Sequence, residues 1–323
     1  VASDADFDNL TYSIVSNPSN GTISLSGDIV TYTPTTNYTG TDTFTFKAND
    51  GALDSATKTV TVKVIGGYKT TQTQIGSDID GEASGDNSGN YVSFNEDATI
   101  MAIGAINNDG NGVDSGHVRV YQLSSGSWSQ LGSDIDGEAA GDNARAVSLS
   151  SDGTVLAIGA YNNDGNGPSS GHVRVFKYNG SSWSQIGSDI DGESTNDYSG
   201  LSIALSSDGT VLAIGAYKND GNGVDSGHAR VFKYNGSSWL QLGSDIDGPF
   251  GSAWFGFVEL SSNGKILAVG APQDNKGSVR IYEYSSGSWV QLGSTIYGDN
   301  NGDRSANISL SSNGLIVAIG SIE

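Results

Sequence analysis

Residues 171–193 read GHVRVFKYNGSSWSQIGSDIDGE, and the phrase returns three more times along the chain. Residues 116–138 are GHVRVYQLSSGSWSQLGSDIDGE, 227–249 are GHARVFKYNGSSWLQLGSDIDGP, and 277–299 are GSVRIYEYSSGSWVQLGSTIYGD. Trp128, Trp183, Trp239 and Trp289 are therefore spaced by 55, 56 and 50 residues, and a lone QIGSDIDGE at 74–82 precedes them. Self-similarity at a period of this length marks one supersecondary unit, repeated so that each copy buries its apolar face against the next.

Each copy reads as four strands. The first alternates: Val147 and Leu149 point one way, Ser148 and Ser150 the other, with counterparts Val92/Phe94, Ile203/Leu205, Val258/Leu260 and Ile308/Leu310. Asp152-Gly153, Asp208-Gly209, Asn263-Gly264 and Asn313-Gly314 supply two-residue hairpin turns. VLAIGA at 155–160 is apolar throughout, the pattern of a strand covered on both faces. HVRVF follows, expected to set its valines inward and its His and Arg outward, and a fourth strand starts at each Trp. Four antiparallel strands at this period predict β-propeller blades.

The array spans 69–323 and holds four full blades and a partial fifth, with 69–80 as an extra strand of the fourth kind in front. Residues 1–65 differ. Leu10–Val15, Thr22–Leu25, Ile29–Pro34, Asp42–Lys47 and Lys58–Val64 are short β-branched runs parted by turns, predicting a small β-sandwich that lacks its first strand. Residues 66–68 are the linker. The fold class is thus all-β, a β-sandwich followed by propeller blades. The chain starts at Val1 and stops inside a repeat, so the expectation is a segment of a longer protein with six or seven blades.

Composition narrows the function. The chain has 323 residues, 46 of them Gly, no Cys and a formal net charge of −21. So many glycines suit a turn-rich β protein. The negative charge argues against nucleic acid, which needs clustered Lys and Arg to release counterions. No run approaches the length of a membrane helix, so no membrane insertion is expected. Without Cys there is no disulfide framework and no thiol chemistry.

DADFDNLTYSIV at 4–15 and NGTISLSGDIVTYTPTTNYTGTDTFTFKANDG at 20–51 resemble the cadherin-like (bacterial Ig-like) modules of large bacterial adhesins. That resemblance implies an extracellular stalk module, often rigidified by calcium, and with it a calcium role for Asp4, Asp6, Asp8 and Asp50. The array resembles the FG-GAP repeats of integrin-α-type propellers. Phe255-Gly256 opens a first strand and Gly270-Ala271-Pro272 closes a second, with Gly104-Ala105-Ile106, Gly159-Ala160-Tyr161 and Gly215-Ala216-Tyr217 in the other copies. FG-GAP repeats often carry a DxDxDG calcium loop between their first two strands, where this chain has only SSDG or SSNG.

Two acidic loops per copy stand as cation candidates, because Ca2+ takes six to eight oxygens. One is DIDGExxGD: Asp78, Asp80, Glu82 and Asp86; Asp134, Asp136, Glu138 and Asp142; Asp189, Asp191, Glu193 and Asp197. The other is NDGNG, with Asp109, Asn111 and Asp114 in the first copy. The competing reading of both is a set of Asx turns on a solvated rim. His117, His172 and His228 recur at one position and read as structural, since equivalent positions of a propeller diverge. The neighbouring arginines read as solvated or paired with acids, and the repeated tryptophans as packing between blades. Trp254 is unrepeated, and with Phe255 forms the candidate ligand contact.

No nucleophile elbow, HExxH or phosphate loop is present, and catalytic residues should break the repeat symmetry, which few acids do. The expectation is therefore not an enzyme but an extracellular or cell-surface segment, adhesive or binding, of a large bacterial surface protein, stabilised by calcium. Its partner would be a protein or glycan on another cell or surface. A carbohydrate-binding or carbohydrate-active propeller is the alternative, and a passive spacer the third.

Overall fold

A computed structural model describes residues 10–64 except 28 and 37, and residues 74–321 except 301, 302 and 305. The chain divides into two compact units, Val1–Gln74 and Ile75–Glu323. Every regular element among the described residues is a strand, and no helix is long and apolar enough to cross a membrane.

The first unit contains β1 (Thr11–Ser16), β2 (Gly21–Ser26), β3 (Ile29–Pro34), β4 (Gly40–Asn49) and β5 (Lys58–Val64). One sheet runs β1-β4-β5, and β2-β3 is a separate hairpin. The predicted runs match these strands to within a few residues. Phe44 and Ala48 are buried on β4. Asp42 is buried beside them and accepts hydrogen bonds from the Ser19, Asn20 and Thr43 amides and the Tyr32 hydroxyl. Burial pushes its carboxyl up, and these four bonds outweigh that and hold it below the usual range.

In the second unit the first blade is β6 (Ser88–Phe94), β7 (Ile100–Ala105), β8 (His117–Ser124), β9 (Ser127–Gln130) and β10 (Ile135–Asp136). The second is β11 (Ala144–Leu149), β12 (Val155–Ala160), β13 (His172–Tyr178), β14 (Trp183–Gln185) and β15 (Ile190–Asp191). The third is β16 (Ser202–Leu205), β17 (Val211–Ala216), β18 (His228–Tyr234), β19 (Trp239–Gln241) and β20 (Ile246–Asp247). The fourth is β21 (Phe257–Leu260), β22 (Ile266–Ala271), β23 (Ser278–Ser285) and β24 (Ser288–Tyr297), and β25 (Asn307–Leu310) and β26 (Val317–Gly320) begin a fifth. Neighbours pair antiparallel in sequence order, as the repeat predicted.

The first strands lie innermost. Residues of β6, β11, β16, β21 and β25, with their flanks, surround one central cavity, so the sheets are the blades of a propeller. The core lies between blades: Leu156, Ile158 and Phe176 of the second pack with Ala102, Val118 and Val120 of the first. A fully buried Leu or Ile of this kind contributes roughly 1.5–3 kcal/mol.

Polar bonds stitch the same interfaces. Ser151 donates its amide to Ser207 O, Ser207 to Ser262 O, and Ser262 to Ser312 O, at 2.8, 2.9 and 2.8 Å. The SSDG turns thus tie one blade to the next, which is a use for them other than the DxDxDG loop. The glycine of each Gly-Ala pair has a related reason: a Cβ on Gly159 would sit 2.0 Å from the Gly200 carbonyl oxygen of the following blade.

The third strand departs from expectation. His172 and Arg174 are buried like their neighbours Val173 and Val175, because both project onto the preceding blade rather than into solvent. The DIDGE segment departs too. Its Ile-Asp pair returns to the third strand, with Val173 opposite Ile190 and His172 opposite Asp191, so part of the supposed loop is sheet.

Candidate ligand-binding site

A residue one to four places before each innermost strand holds a left-handed backbone. It is Asn87, Asn143, Tyr198 and Trp254 in successive blades, with φ of 52°, 54°, 55° and 56°. Asn tolerates this region, whereas a bulky aromatic there is strained by about 1–2 kcal/mol. Two blades accept that strain, and both set a ring on the same face.

Those rings extend a row. Tyr161 and Tyr217, which follow the Gly-Ala pairs of β12 and β17, alternate with them: Tyr161–Tyr198, Tyr198–Tyr217 and Tyr217–Trp254 have centroids 6.0, 5.6 and 5.6 Å apart. Phe257 lies 6.5 Å from Tyr217. Two cations flank the row. The Arg145 guanidinium lies 5.0 Å from the Tyr91 ring and 4.6 Å from that of Tyr161. Lys218 Nζ is 4.9 Å from the Tyr198 ring and 5.7 Å from Tyr217. All these side chains are half-buried, so part of each stays accessible. Burial pushes the Tyr217 hydroxyl up, with Tyr198 and Tyr161 adding to the effect.

The row borders the central cavity, of about 280 Å³, whose lining includes Tyr91, Leu201, Phe257, Glu259 and Asn307. Glu259 is the one carboxylate among the described residues of that lining. It occupies the register position of Ser93, Ser148, Ala204 and Ser309. Burial alone pushes its carboxyl up to about 7. Sequence reading passed over Glu259, although a charge replacing a small side chain in a strict repeat was there to be seen.

Trp254 stands in this row as a half-exposed ring, but its neighbour does not. Phe255 is 0% exposed, packs edge-on against Tyr282 and lies under Arg280. It is a core residue and cannot touch a ligand. The αL residue between β20 and β21 turns Trp254 out and Phe255 in. The repeated tryptophans behave as expected: Trp183, Trp239 and Trp289 each donate Nε1–H to a backbone carbonyl of the preceding blade, and Trp128 donates to Ile75 in the segment before the first blade.

The acids proposed for calcium have other partners. Asp4, Asp6 and Asp8 lie outside the described residues. Asp50 Oδ1 accepts the amides of Ala52 and Leu53, closing its own turn. In the DIDGExxGD segments the final Asp is buried and organises the backbone. Asp142 Oδ2 accepts from the Glu138 and Ala139 amides and from Asn163, and Asp86 and Asp197 do likewise in their blades. Asn111 of the NDGNG loop donates to the Gly137 and Glu138 carbonyls, lacing the two loops together.

Among the described residues, the four carboxylates of one segment do not converge. The groups that do gather are Glu82, His117 and Asp134; Glu138, His172 and Asp189; and Glu193, His228 and Asp245. The arginines, read from sequence as solvated or paired with acids, are buried and face acids. Arg119, Arg174 and Arg230 reach the carbonyls of Asp80, Asp136 and Asp191, and lie 3.6–4.0 Å from the glutamates.

Comparison with known proteins supports both resemblances. Residues 1–63 match the model of a bacterial Ig domain, and residues 189–232 match that of an FG-GAP repeat. No curated protein matches the chain in sequence. Among solved structures, a periplasmic gluconolactonase of Pseudomonas aeruginosa is similar with a TM-score of 0.52 at 17% identity, over 97% of this chain and 76% of that one. A protein of Lactobacillus plantarum is similar at 0.51 and 12% identity, over 86% and 71%. Hydrazine synthase of Kuenenia stuttgartiensis has a TM-score of 0.49 at 15% identity, and this chain covers 79% of its own length and 59% of that one. At such identities the likeness is one of fold alone.

Proposed function

We propose that this chain is a non-catalytic binding segment of an extracellular or periplasmic bacterial protein, and that it docks sugar rings of a glycan on the aromatic row. The carrying observation is that Tyr198 and Trp254 occupy left-handed positions where two other blades have Asn, which joins them to Tyr161 and Tyr217 in one open strip. Backbone strain retained for a half-buried ring at the surface suits a contact face rather than a core. Stacking faces beside cationic donors suit a ligand with an apolar ring face and a hydroxyl rim.

Adhesion is the role this reading gives the whole segment, with the Ig-like unit as spacer and the propeller as the contact. A glycoside hydrolase would need two carboxylates flanking the bond, whereas among the described residues the cavity beside the row contributes Glu259 alone, which favours binding over cleavage. A glycan array probed with the wild-type chain and with Trp254→Ala tests the proposal. Sugar-dependent binding lost in the variant supports it; binding only to protein partners would replace the ligand class.

A further inference from the structure

Glu138, His172 and Asp189 come from three separate segments, yet one ligand atom from each lies within 4.8 Å of the others. The same holds for Glu82, His117 and Asp134, and for Glu193, His228 and Asp245. Each histidine is only 1% exposed. Its Nδ1 faces a glutamate Oε2 across 3.6, 3.7 and 3.7 Å in the three copies, a gap too long for a good hydrogen bond. Both ring nitrogens of His117 and His228, and Nε2 of His172, are buried without a hydrogen-bond partner among the described residues. Unmet polar atoms in a buried ring require an explanation.

The fourth interface supplies an internal comparison. The positions of Glu, His and Asp are there Pro249, Ser278 and Thr295, so all three change together. The arginine of that blade is rewired as well: Arg280 binds the buried Asp274 at 2.8 Å and Ser278 at 2.9 Å. Three residues distant in sequence are kept as a set or lost as a set, as ligands of one ion would be.

We propose that the three clusters bind a borderline divalent cation of the zinc type, one at each of three successive blade interfaces. One imidazole and two carboxylates are a donor set for zinc and its transition-metal neighbours, while calcium takes oxygen alone. Ligands on a tetrahedral zinc with bonds near 2.0–2.1 Å stand roughly 3.3 Å apart, so the His–Glu spacing needs to close by only a few tenths of an ångström. The surroundings orient the ligands as outer-shell partners do. Arg174 Nη1 stands 3.6 Å from Glu138 Oε1, leaving Oε2 toward the histidine. Gln185 Nε2 donates to Asp189 Oδ1 at 2.7 Å, as Gln130 and Gln241 do to Asp134 and Asp245. An ion here clamps the outer loop of one blade to the third strand of the next.

The test uses the full chain, stripped with chelator, dialysed, and titrated with zinc chloride by calorimetry and with cobalt chloride by visible absorption. Three equivalents bind, melting temperature rises, and cobalt gives the intense bands of a four-coordinate site. His172→Gln and Asp189→Asn each reduce the stoichiometry to two, and Gln185→Leu weakens one site about tenfold. Asp189 is exposed, so its substitution keeps the test valid if the buried histidine replacement does not fold. Less than one equivalent of zinc, or a stoichiometry unchanged in both single variants, overturns the proposal.

Discussion

Trp183 donates its indole Nε1–H to the carbonyl oxygen of Leu131, 2.8 Å away in the preceding blade. Its ring also passes so near Gly132, at φ 82°, that a Cβ there would meet Cδ1 at 2.8 Å. One side chain thereby packs against and hydrogen-bonds across a blade interface. Trp183→Phe removes the bond and keeps most of the ring. The expected loss is about 1 kcal/mol, read as a lower urea midpoint at unchanged slope.

The fourth blade is held by a different pair. Asp274 is fully buried and holds Arg280 at 2.8 Å. Asp274→Asn leaves the guanidinium buried without its counter-charge, and the expected cost is about 3–5 kcal/mol. Melting temperature should fall by roughly 10 °C, far more than for Glu138→Gln, whose glutamate is partly exposed.

Glu259 gives a pH dependence with a definite sign. Its folded pKa of about 7 lies above the ordinary value of 4.5, so the folded carboxyl keeps a proton that the unfolded chain has released. Its contribution is therefore present below about pH 4.5 and is lost as pH rises through 7. Glu259→Gln should match the wild type at pH 4 and exceed it by up to roughly 3 kcal/mol at pH 8. Urea unfolding of both chains across that range measures the difference.

Tyr198→Asn restores the residue that the first two blades have at this position. Relief of the left-handed strain, about 1 kcal/mol, offsets lost ring contacts of about 0.5–1.5 kcal/mol. Stability should hold within about 1 kcal/mol while ligand affinity falls. A stable chain with full affinity would remove Tyr198 from the site.

The repeat, the Trp anchors and the continuous burial of VLAIGA were legible because each depends on local period and copy number. The histidine clusters were not. Comparing His117, His172 and His228 with one another misses their partners, because His172 meets Glu138 of the preceding blade and Asp189 of its own, and it takes the register to bring Glu138 to it. Phe255 misled because adjacent aromatics look alike in sequence, while the left-handed turn at Trp254 sends one out and the other in. The DIDGE acids looked like one cage, yet strand pairing at Ile190–Asp191 divides them between interfaces.

The aromatic row is tested most directly by titrating the intact chain with the glycans that an array selects, alongside Trp254→Ala and Tyr217→Ala. Wild-type binding that weakens tenfold or more in each variant, about 1.4 kcal/mol or more, with melting temperature preserved, is the predicted result. Glycan affinity unchanged by both substitutions, or no glycan bound at all, would contradict it.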